Sequence, residues 1–411
     1  MNILFLTLLD FSDISEKGIY TDLLREFIKN GHAVWVISPT EKRRNIATHL
    51  IQNDSCTILK LRIGNIQKTN FVEKGISTLA VESQLISGIK KYFGQVRFDL
   101  ILYSTPPITF CRAVEYVKER DHAKTYLLLK DIFPQNAVDL GMLSKRGYKA
   151  ALYKYFRWKE KKLYAVSDMI GCMSPANVEY LLRHNPEISR AKVEVCPNSI
   201  EIQDYLLKEK EKQAIRIKHD IPTDKIVFVY GGNLGKPQGI PFVIDCLKTQ
   251  EQNPDVFFLI VGDGTEFGKL EAYFKERQPL NMKLLRSIPK DDYDRLVAAC
   301  DVGLIFLDHR FTIPNFPSRL LSYMHASLPI LACTDVSSDI GVIIEEGGFG
   351  YWCACKDVDG FNKKVQFLSD SELRNKMGIN ARTHLENNYT TKHSYAAIMV
   401  ILTHNNTLST I

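Results

Sequence analysis

The sequence predicts an α/β protein built from two doubly wound domains, and three observations carry that expectation. Short apolar runs alternate with amphipathic helical patterns. The alternation stops after Cys196-Pro197-Asn198 and restarts at residue 226. The restarted series opens on an apolar run, Ile226 to Tyr230, that ends in paired glycines and feeds a helix. Alternation of this kind gives parallel sheets covered by helices on both faces.

The elements follow in order. Strands are expected at 2–8, 33–38, 57–63, 99–104, 124–129 and 168–173, each a short apolar run rich in Ile, Leu, Val or aromatics. Stretches with apolar residues three and four apart predict helices at 19–30, 76–93, 108–120 and 175–183. The second series places strands at 226–230, 256–261, 282–286, 302–307 and 329–333, with a helix after each. The charged segment from Lys208 to Lys218 lies between the series, and the linker is expected near 198–224. This divides the chain into a Rossmann-like domain over 1–198 and another over 199–390. A last pattern, from Ser394 to Leu402 within 391–411, is expected to leave the second domain as a helix packing back on the first.

Composition bounds the class. The chain has 411 residues, 45% hydrophobic and 24% charged, with a mean hydropathy of −0.13, enough for large cores. The net charge of +6 is uneven: residues 1–200 hold 29 Lys+Arg against 20 Asp+Glu, whereas the remainder holds 24 against 27. A basic first half suits an anionic partner. The nine cysteines show no pairing or metal-ligand spacing, as in reduced thiols of a cytosolic protein. Met1-Asn2 leads straight into Ile3–Leu9, without a basic n-region, and meets Asp10 early. This reads as a buried first strand and not as a signal peptide. No apolar run approaches the roughly 20 residues of a membrane helix.

Val229-Tyr230-Gly231-Gly232-Asn233-Leu234-Gly235-Lys236-Pro237-Gln238-Gly239 is the most chemically loaded stretch. A strand that ends on glycines before a helix presents backbone N–H groups beside the positive end of the helix dipole, which suits phosphate. Lys236 adds a mobile cation. Phe316-Pro317-Ser318-Arg319-Leu320-Leu321 is expected to open a second helix, with proline in its first turn and Arg319 just inside. Two such termini, each with its own cation, suit a diphosphate and point to half of a nucleotide-sugar site. Gly18, between the first strand and the first helix, is either a loop residue or a further phosphate or sugar contact. The chain has no GxGxxG pattern for a dinucleotide.

With these motifs the chain resembles family 4 glycosyltransferases of the GT-B fold, in which two doubly wound Rossmann-like domains face each other across a cleft. It is most similar to the bacterial surface-polysaccharide (O-antigen or capsule) branch that includes the WbuB-like N-acetylfucosamine transferases. The shared features are Gly232-Asn233-Leu234-Gly235-Lys236 through Gly239, Asp131-Ile132-Phe133-Pro134-Gln135, Asp139-Leu140-Gly141-Met142, Pro197-Asn198, Val261-Gly262-Asp263-Gly264 and Pro317-Ser318-Arg319. The resemblance implies an acceptor domain followed by a nucleotide-sugar donor domain. It implies retaining transfer of an N-acetylated amino or deoxyamino sugar, from a UDP-linked donor to a lipid-linked saccharide. It also implies that the leaving phosphate takes the acceptor proton. Donor-binding residues are expected to be Gly18, Gly232, Asn233, Lys236, Gly262, Gly264, Ile288, Ser318, Arg319, Leu320 and Ser322, with Asp131, Lys236 and Arg319 catalytic. No metal or other cofactor is expected, since cations and helix termini can neutralise the leaving diphosphate. Asp357-Val358-Asp359 resembles a metal-binding Asp-x-Asp, but it lies before a late helix, far in sequence from the phosphate loops.

The chain also departs from the family. Pro314 and Ser322 stand where the wider family carries two glutamates, one of which holds the ribose. Asn233 and Gln238 replace a common arginine and lysine. A serine gives the ribose only a neutral hydrogen bond, about 0.5–1.5 kcal/mol.

Asp131 stands at the carboxyl end of the strand Tyr126–Leu129, either as a carboxylate that orients or deprotonates the acceptor hydroxyl or as a turn aspartate before Pro134. Lys130 faces the cleft or the opposite side. The segment Lys145–Lys162 holds eight Lys+Arg against one acid, Glu160, interleaved with aromatics. Lys154, Arg157, Trp158, Lys159 and Lys161 are expected to meet an anionic membrane surface. An amphipathic helix packing its aromatics on the sheet has the same composition. Nucleic acid is not expected, because no nucleic-acid module accompanies the segment. The expected location is cytoplasmic, peripheral on the inner face of the membrane. Two alternatives share the architecture: a sugar-nucleotide 2-epimerase, and a catalytically silent nucleotide-sugar-binding homologue.

Overall fold

The computed structural model describes residues 1–53, 55–66, 71–203 and 207–403. The chain divides into two compact units, Met1–Glu201 with Thr391–Ile411 (described to residue 403) and Ile202–Thr390. The far end of the expected helix over 391–411 lies outside the described residues, as do 204–206 of the expected linker.

In the first unit the order is β1 (Asn2–Leu6), α1 (Ile19–Lys29), β2 (Ala33–Glu41), β3 (His49–Gln52), β4 (Cys56–Ile63), α2 (Phe71–Tyr92) and β5 (Leu100–Ser104). It continues with α3 (Cys111–Asp121), β6 (Lys124–Leu129), α4 (Gln135–Asp139), α5 (Ala150–Val166), β7 (Met169–Cys172), α6 (Pro175–His184) and β8 (Val193–Val195). The sheet runs β3-β4-β2-β1-β5-β6-β7-β8, parallel except for the antiparallel edge strand β3. Strand order reverses between β1 and β5. Loops that follow strands near such a switch point bind ligands in doubly wound folds, and Thr105 and Asp131 follow β5 and β6. The strands are apolar on both faces because helices cover both: Ile3, Phe5, Leu100 and Leu102 on one face and Leu4, Leu6, Ile101 and Tyr103 on the other are all fully buried.

The second unit comprises α7 (Glu209–Lys218), β9 (Ile226–Asn233), α8 (Ile240–Gln250), β10 (Val256–Asp263), α9 (Phe267–Arg277), β11 (Met282–Leu285), α10 (Lys290–Ala298) and β12 (Val302–Phe306). Then come α11 (Arg319–His325), β13 (Ile330–Thr334), α12 (Ile340–Glu346), β14 (Gly350–Ala354), α13 (Val358–Phe367) and α14 (Ser371–Asn388). Its sheet is β11-β10-β9-β12-β13-β14, parallel throughout. The reversal lies between β9 and β12, so the glycine loop follows a switch-point strand.

The last helix, α15 (Thr391–Thr403), belongs to the first unit. Ile398 and Ile401 join that unit's core. The Tyr395 ring meets Phe27 edge-on at 5.0 Å, its hydroxyl bonds His32 Nε2 at 3.0 Å, and Thr391 Oγ1 donates to Glu26 at 3.1 Å.

Some expectations need correction. The charged segment 208–218 is not linker but α7, docked on the second unit by buried Arg216. Its guanidinium donates to Ala299 O and pairs with Asp301, both at 2.7 Å. Pro317 precedes Ser318, the residue that caps α11, so it lies outside the first turn. β3, β8 and β14 had not been anticipated.

Candidate functional site

The loop after β9 is stitched to both neighbouring strands. Leu234 N donates to Asp263 O at 2.9 Å and Glu266 N to Leu234 O at 2.9 Å, on the β10 side. Asp308 N donates to Pro237 O at 2.9 Å, on the β12 side. Gln238 Oε1 closes the loop from within, accepting from Gly235 N at 3.1 Å and from Asn233 Nδ2 at 3.2 Å. Asn233 and Gln238, which replace cations of the wider family, therefore brace the loop.

Two of its glycines are steric necessities. Gly262 pairs with Gly232 across the strands, and a Cβ there would lie 1.9 Å from Gly232 O. A Cβ on Gly264 would lie 2.4 Å from the Leu234 carbonyl. Gly232 itself has φ +116°, a conformation that favours glycine. These glycines let the loop lie flat on the end of β10.

Arg319 is the central cation. Its guanidinium stacks over Tyr230, 4.3 Å from the ring centre, and lies within 3.6 Å of where a Gly232 Cβ would sit. Tyr230 is fully buried, and its hydroxyl donates to Asn233 O at 2.9 Å. One guanidinium nitrogen, Nη1, is buried without a hydrogen-bond partner. A buried donor left unpaired is costly, and an arginine fork beside the exposed Gly232 is matched to phosphate oxygens. Because α11 has only seven residues, the side chain and not the helix dipole supplies the charge.

The other expected donor contacts fall around this loop. Lys236 is exposed in the single 3-10 turn Lys236–Gln238 that precedes α8. Asp263 holds Ser287 N at 3.2 Å and Arg286 at 2.9 Å, anchoring the turn that carries Ile288. Ser318 is exposed, Ser322 half-buried and Leu320 buried. Tyr323, one turn after Arg319, accepts from Gly231 N at 3.2 Å. The sequence reading missed Tyr230 and Tyr323, although their positions beside the glycines and at i+4 from Arg319 were visible.

In the first unit, Asp131 lies in the loop after β6. Thr105 Oγ1 donates to Asp131 O at 3.0 Å and accepts from Lys130 N at 3.1 Å, tying the β5 and β6 loops together. Asn136 Nδ2 donates to Asp131 Oδ2 at 2.6 Å. Burial pushes the Asp131 carboxyl up to about 6, against the hydrogen bonds from Ile132 N and Asn136 that favour its charge. Such a group is ionised at neutral pH yet basic enough to accept a proton. Lys130 turns away, donating to Cys196 O at 2.9 Å. The Gly18 amide donates to Asp22 Oδ1 at 3.2 Å, so the amide expected to meet a phosphate is spent on its own helix.

The basic helix α5 divides differently from expectation. Lys159 is 7% exposed, and its ammonium pairs with Glu82 of α2 at 2.5 Å. Arg157 turns inward to Glu160, to His184 O at 2.9 Å and to Asn185. These two are not surface cations, because each serves a carboxylate packed beneath the helix. Lys154, Trp158, Lys161 and Lys162 remain exposed, with Lys162 4.5 Å from the Trp158 ring centre. No described helix is long and apolar enough to cross a membrane. Asp357 of the Asp-x-Asp pattern caps α13, accepting from Gly360 N at 2.8 Å.

Two largely parallel, doubly wound sheets, with a glycine loop and a half-buried arginine at the switch point of the second, place this chain in the GT-B fold class. Sucrose-phosphate synthase from Thermosynechococcus elongatus superposes with a TM-score of 0.75 over 100% of both chains, at 14% identity. Residues 211–384, within the second unit, match the family model described as Glycosyl transferases group 1. Three relatives extend the match. Probable glycosyltransferase WbjE of Pseudomonas aeruginosa is 25% identical, with 71% of each chain covered. The putative colanic acid biosynthesis glycosyl transferase WcaI of Escherichia coli (strain K12) is 24% identical, with 70% of each covered. UDP-Gal:alpha-D-GlcNAc-diphosphoundecaprenol alpha-1,3-galactosyltransferase of Escherichia coli is 21% identical over 57% of this chain and 59% of its own. The chain thus has homologues in bacterial surface-polysaccharide synthesis.

Proposed function

We propose that this chain is a retaining glycosyltransferase of surface-polysaccharide synthesis, moving an N-acetylated amino or deoxyamino sugar from a UDP-linked donor to a saccharide on a lipid diphosphate. The observation that carries the reading is the buried, unpartnered Nη1 of Arg319 beside Gly232. It is a preorganised donor where a leaving diphosphate would gain charge, and a single such contact contributes roughly 3 kcal/mol to a transition state. Lys236 adds a second positive charge from the solvent side of the loop. With these cations in place, transfer proceeds without a metal, and the departing phosphate accepts the proton of the attacking hydroxyl. Asp131 orients that hydroxyl in the first unit. The lipid-linked acceptor, which the name of one relative contains, accords with the exposed Lys154, Trp158, Lys161 and Lys162. Through them the protein rests on the cytoplasmic membrane.

The test has two arms. Thermal unfolding is followed with UDP and a panel of UDP-sugars, where a ligand at 100 times its Kd adds about 2.7 kcal/mol of apparent stability. Transfer from the sugar that stabilises most is then measured to a prenyl diphosphate-linked saccharide in the presence of EDTA. Stabilisation by UDP and EDTA-insensitive transfer with retained anomeric configuration are expected. Conversion of the nucleotide sugar without acceptor would assign the chain to the epimerases, and binding without transfer would make it a silent homologue.

A further inference from the structure

A cavity of about 220 Å³ opens between α4, α5 and α6 in the first unit, its lining beginning at Ile132, next to Asp131 in the chain. Its rim and walls include Lys145, Tyr153, Arg157, Glu160, Tyr180 and His184. The hydrogen-bonding groups in these walls are unequally free. The Glu160 carboxylate is taken by Arg157 and by the Tyr164 hydroxyl at 2.7 Å. Asn185 Oδ1 accepts from Arg157. Arg157 and Glu160 therefore cancel each other's charge, and the Glu160 and Asn185 oxygens are engaged.

Two donors remain, Lys145 and Tyr180. Lys145 holds its ammonium 5.6 Å from the Tyr153 ring centre and is exposed. Tyr180 stacks on His184, ring centres 4.0 Å apart, and His184 Nδ1–H donates to Tyr180 O at 2.9 Å, which holds the two rings together and makes Nε2 of the neutral imidazole an acceptor. Burial pushes the Tyr180 hydroxyl up to about 12, with Asp139 and Glu160 adding to the effect, so it stays a donor at any physiological pH. A space lined by a net positive charge and by the Lys145 and Tyr180 donors, with the Glu160 and Asn185 oxygens already engaged, suits an oxyanion. Ile132, Pro134 and Gln135 form the wall nearest Asp131. Lys145 belongs to the segment that also carries exposed Met142 (49%) and Tyr148 (90%).

We propose that this cavity seats the phosphate ester of the lipid-linked acceptor, between Lys145 and Tyr180, so that the saccharide beyond it extends toward Asp131. The proposal rests on the acceptor class proposed above, and it places that acceptor's charged group at a location set by the first unit alone.

The experiment reads binding and not transfer, so its result is independent of whether the chain proves to be a transferase. The full chain, saturated with UDP to occupy the glycine loop, is titrated calorimetrically with geranyl diphosphate, geraniol and inorganic pyrophosphate. Geranyl diphosphate is expected to bind and geraniol not. Lys145→Gln and Tyr180→Phe are each expected to weaken geranyl diphosphate at least tenfold while leaving the affinity for UDP unchanged. Lys145 is exposed, so its replacement leaves the fold intact. Wild-type affinity for geranyl diphosphate in both variants overturns the site. Inorganic pyrophosphate binding as tightly as geranyl diphosphate overturns the lipid source and leaves a site for a free diphosphate.

Discussion

The Arg319 guanidinium lies 4.3 Å from the centre of the Tyr230 ring, and the Tyr230 hydroxyl in turn holds the Asn233 carbonyl at 2.9 Å. One aromatic side chain therefore fixes both the cation and the backbone of the glycine loop. A buried cation–π contact is worth about 2 kcal/mol, and it holds the guanidinium in place before any anion arrives.

The first prediction follows from that arrangement. Arg319→Ala is expected to weaken UDP binding and to slow transfer by about 3 kcal/mol, near a hundredfold. Tyr230→Phe keeps the platform but frees the Asn233 carbonyl, and its loss is expected to stay below about 1.5 kcal/mol. Lys236→Ala, at an exposed position, should weaken UDP without changing the melting temperature. Calorimetric UDP titration of the three variants orders them, and unchanged affinity in Arg319→Ala would remove the arginine from the site.

Asp131 gives a pH prediction whose sign is the reverse of the usual carboxylate. Its folded-state pKa is raised from 3.8 to about 6, so the native state binds more protons than the unfolded chain between those values. Stability contributed by this group is therefore lost as pH rises through that window, by about 1–3 kcal/mol above pH 6. Asp131→Asn is expected to be more stable than the wild type at pH 7.5 and no more stable at pH 3.5, by urea unfolding. Its turnover is expected to fall without change in UDP affinity, and to lose the rise in rate that the wild type shows through about pH 6.

A third prediction separates Lys159 from its neighbours on α5. The Lys159–Glu82 pair is almost wholly buried, with 9% and 6% of the side chains exposed. Lys159→Met alone strands a buried carboxylate and is expected to cost about 3–5 kcal/mol. The double variant Lys159→Met with Glu82→Leu should recover most of that loss. A single variant as stable as the wild type would show that the pair is not closed in solution.

The contrast between Lys159 and Lys154 shows what the sequence made legible and what it did not. Both lysines lie in one basic run, and composition cannot tell them apart. Helical phase does better: Lys159 stands four residues before buried Leu163, whereas Lys154, Trp158 and Lys161 share the opposite side. Its partner Glu82 is 77 residues away, and no local pattern encodes that pairing. The strands of the two series that were readable stood out as short apolar runs followed by a helical pattern. β3 and β8 have only four and three residues, too few to show a period. β14, Gly350–Ala354, opens on a glycine. The glycine loop and Arg319 were legible because phosphate chemistry leaves a local signature. The supports of Asp131 were half legible. Asn136 is five residues on, but Thr105 comes from the neighbouring strand, by a parallel pairing that only the fold supplies.

The last prediction concerns the membrane and corrects the choice of residues. Lys154, Trp158, Lys161 and Lys162 form the exposed side of α5, and Lys161 is engaged only by Glu187 at 2.9 Å, both about half exposed. An exposed pair of this kind contributes little to stability, so these cations are free to meet anionic lipid. Each lysine near such a surface is worth about 1 kcal/mol, and three together should shift the vesicle partition by roughly a hundredfold. The wild type is expected to sediment with vesicles containing phosphatidylglycerol and to be released by salt, as the Debye length falls from about 10 Å at 0.1 M to about 3 Å at 1 M. Lys154→Gln with Lys161→Gln and Lys162→Gln should lose that binding, keep the melting temperature and keep transfer to a short soluble acceptor. Adding Lys159→Gln would confuse the result by unfolding the helix from beneath. Equal sedimentation of the triple variant and the wild type would mean that α5 presents its lysines to water alone.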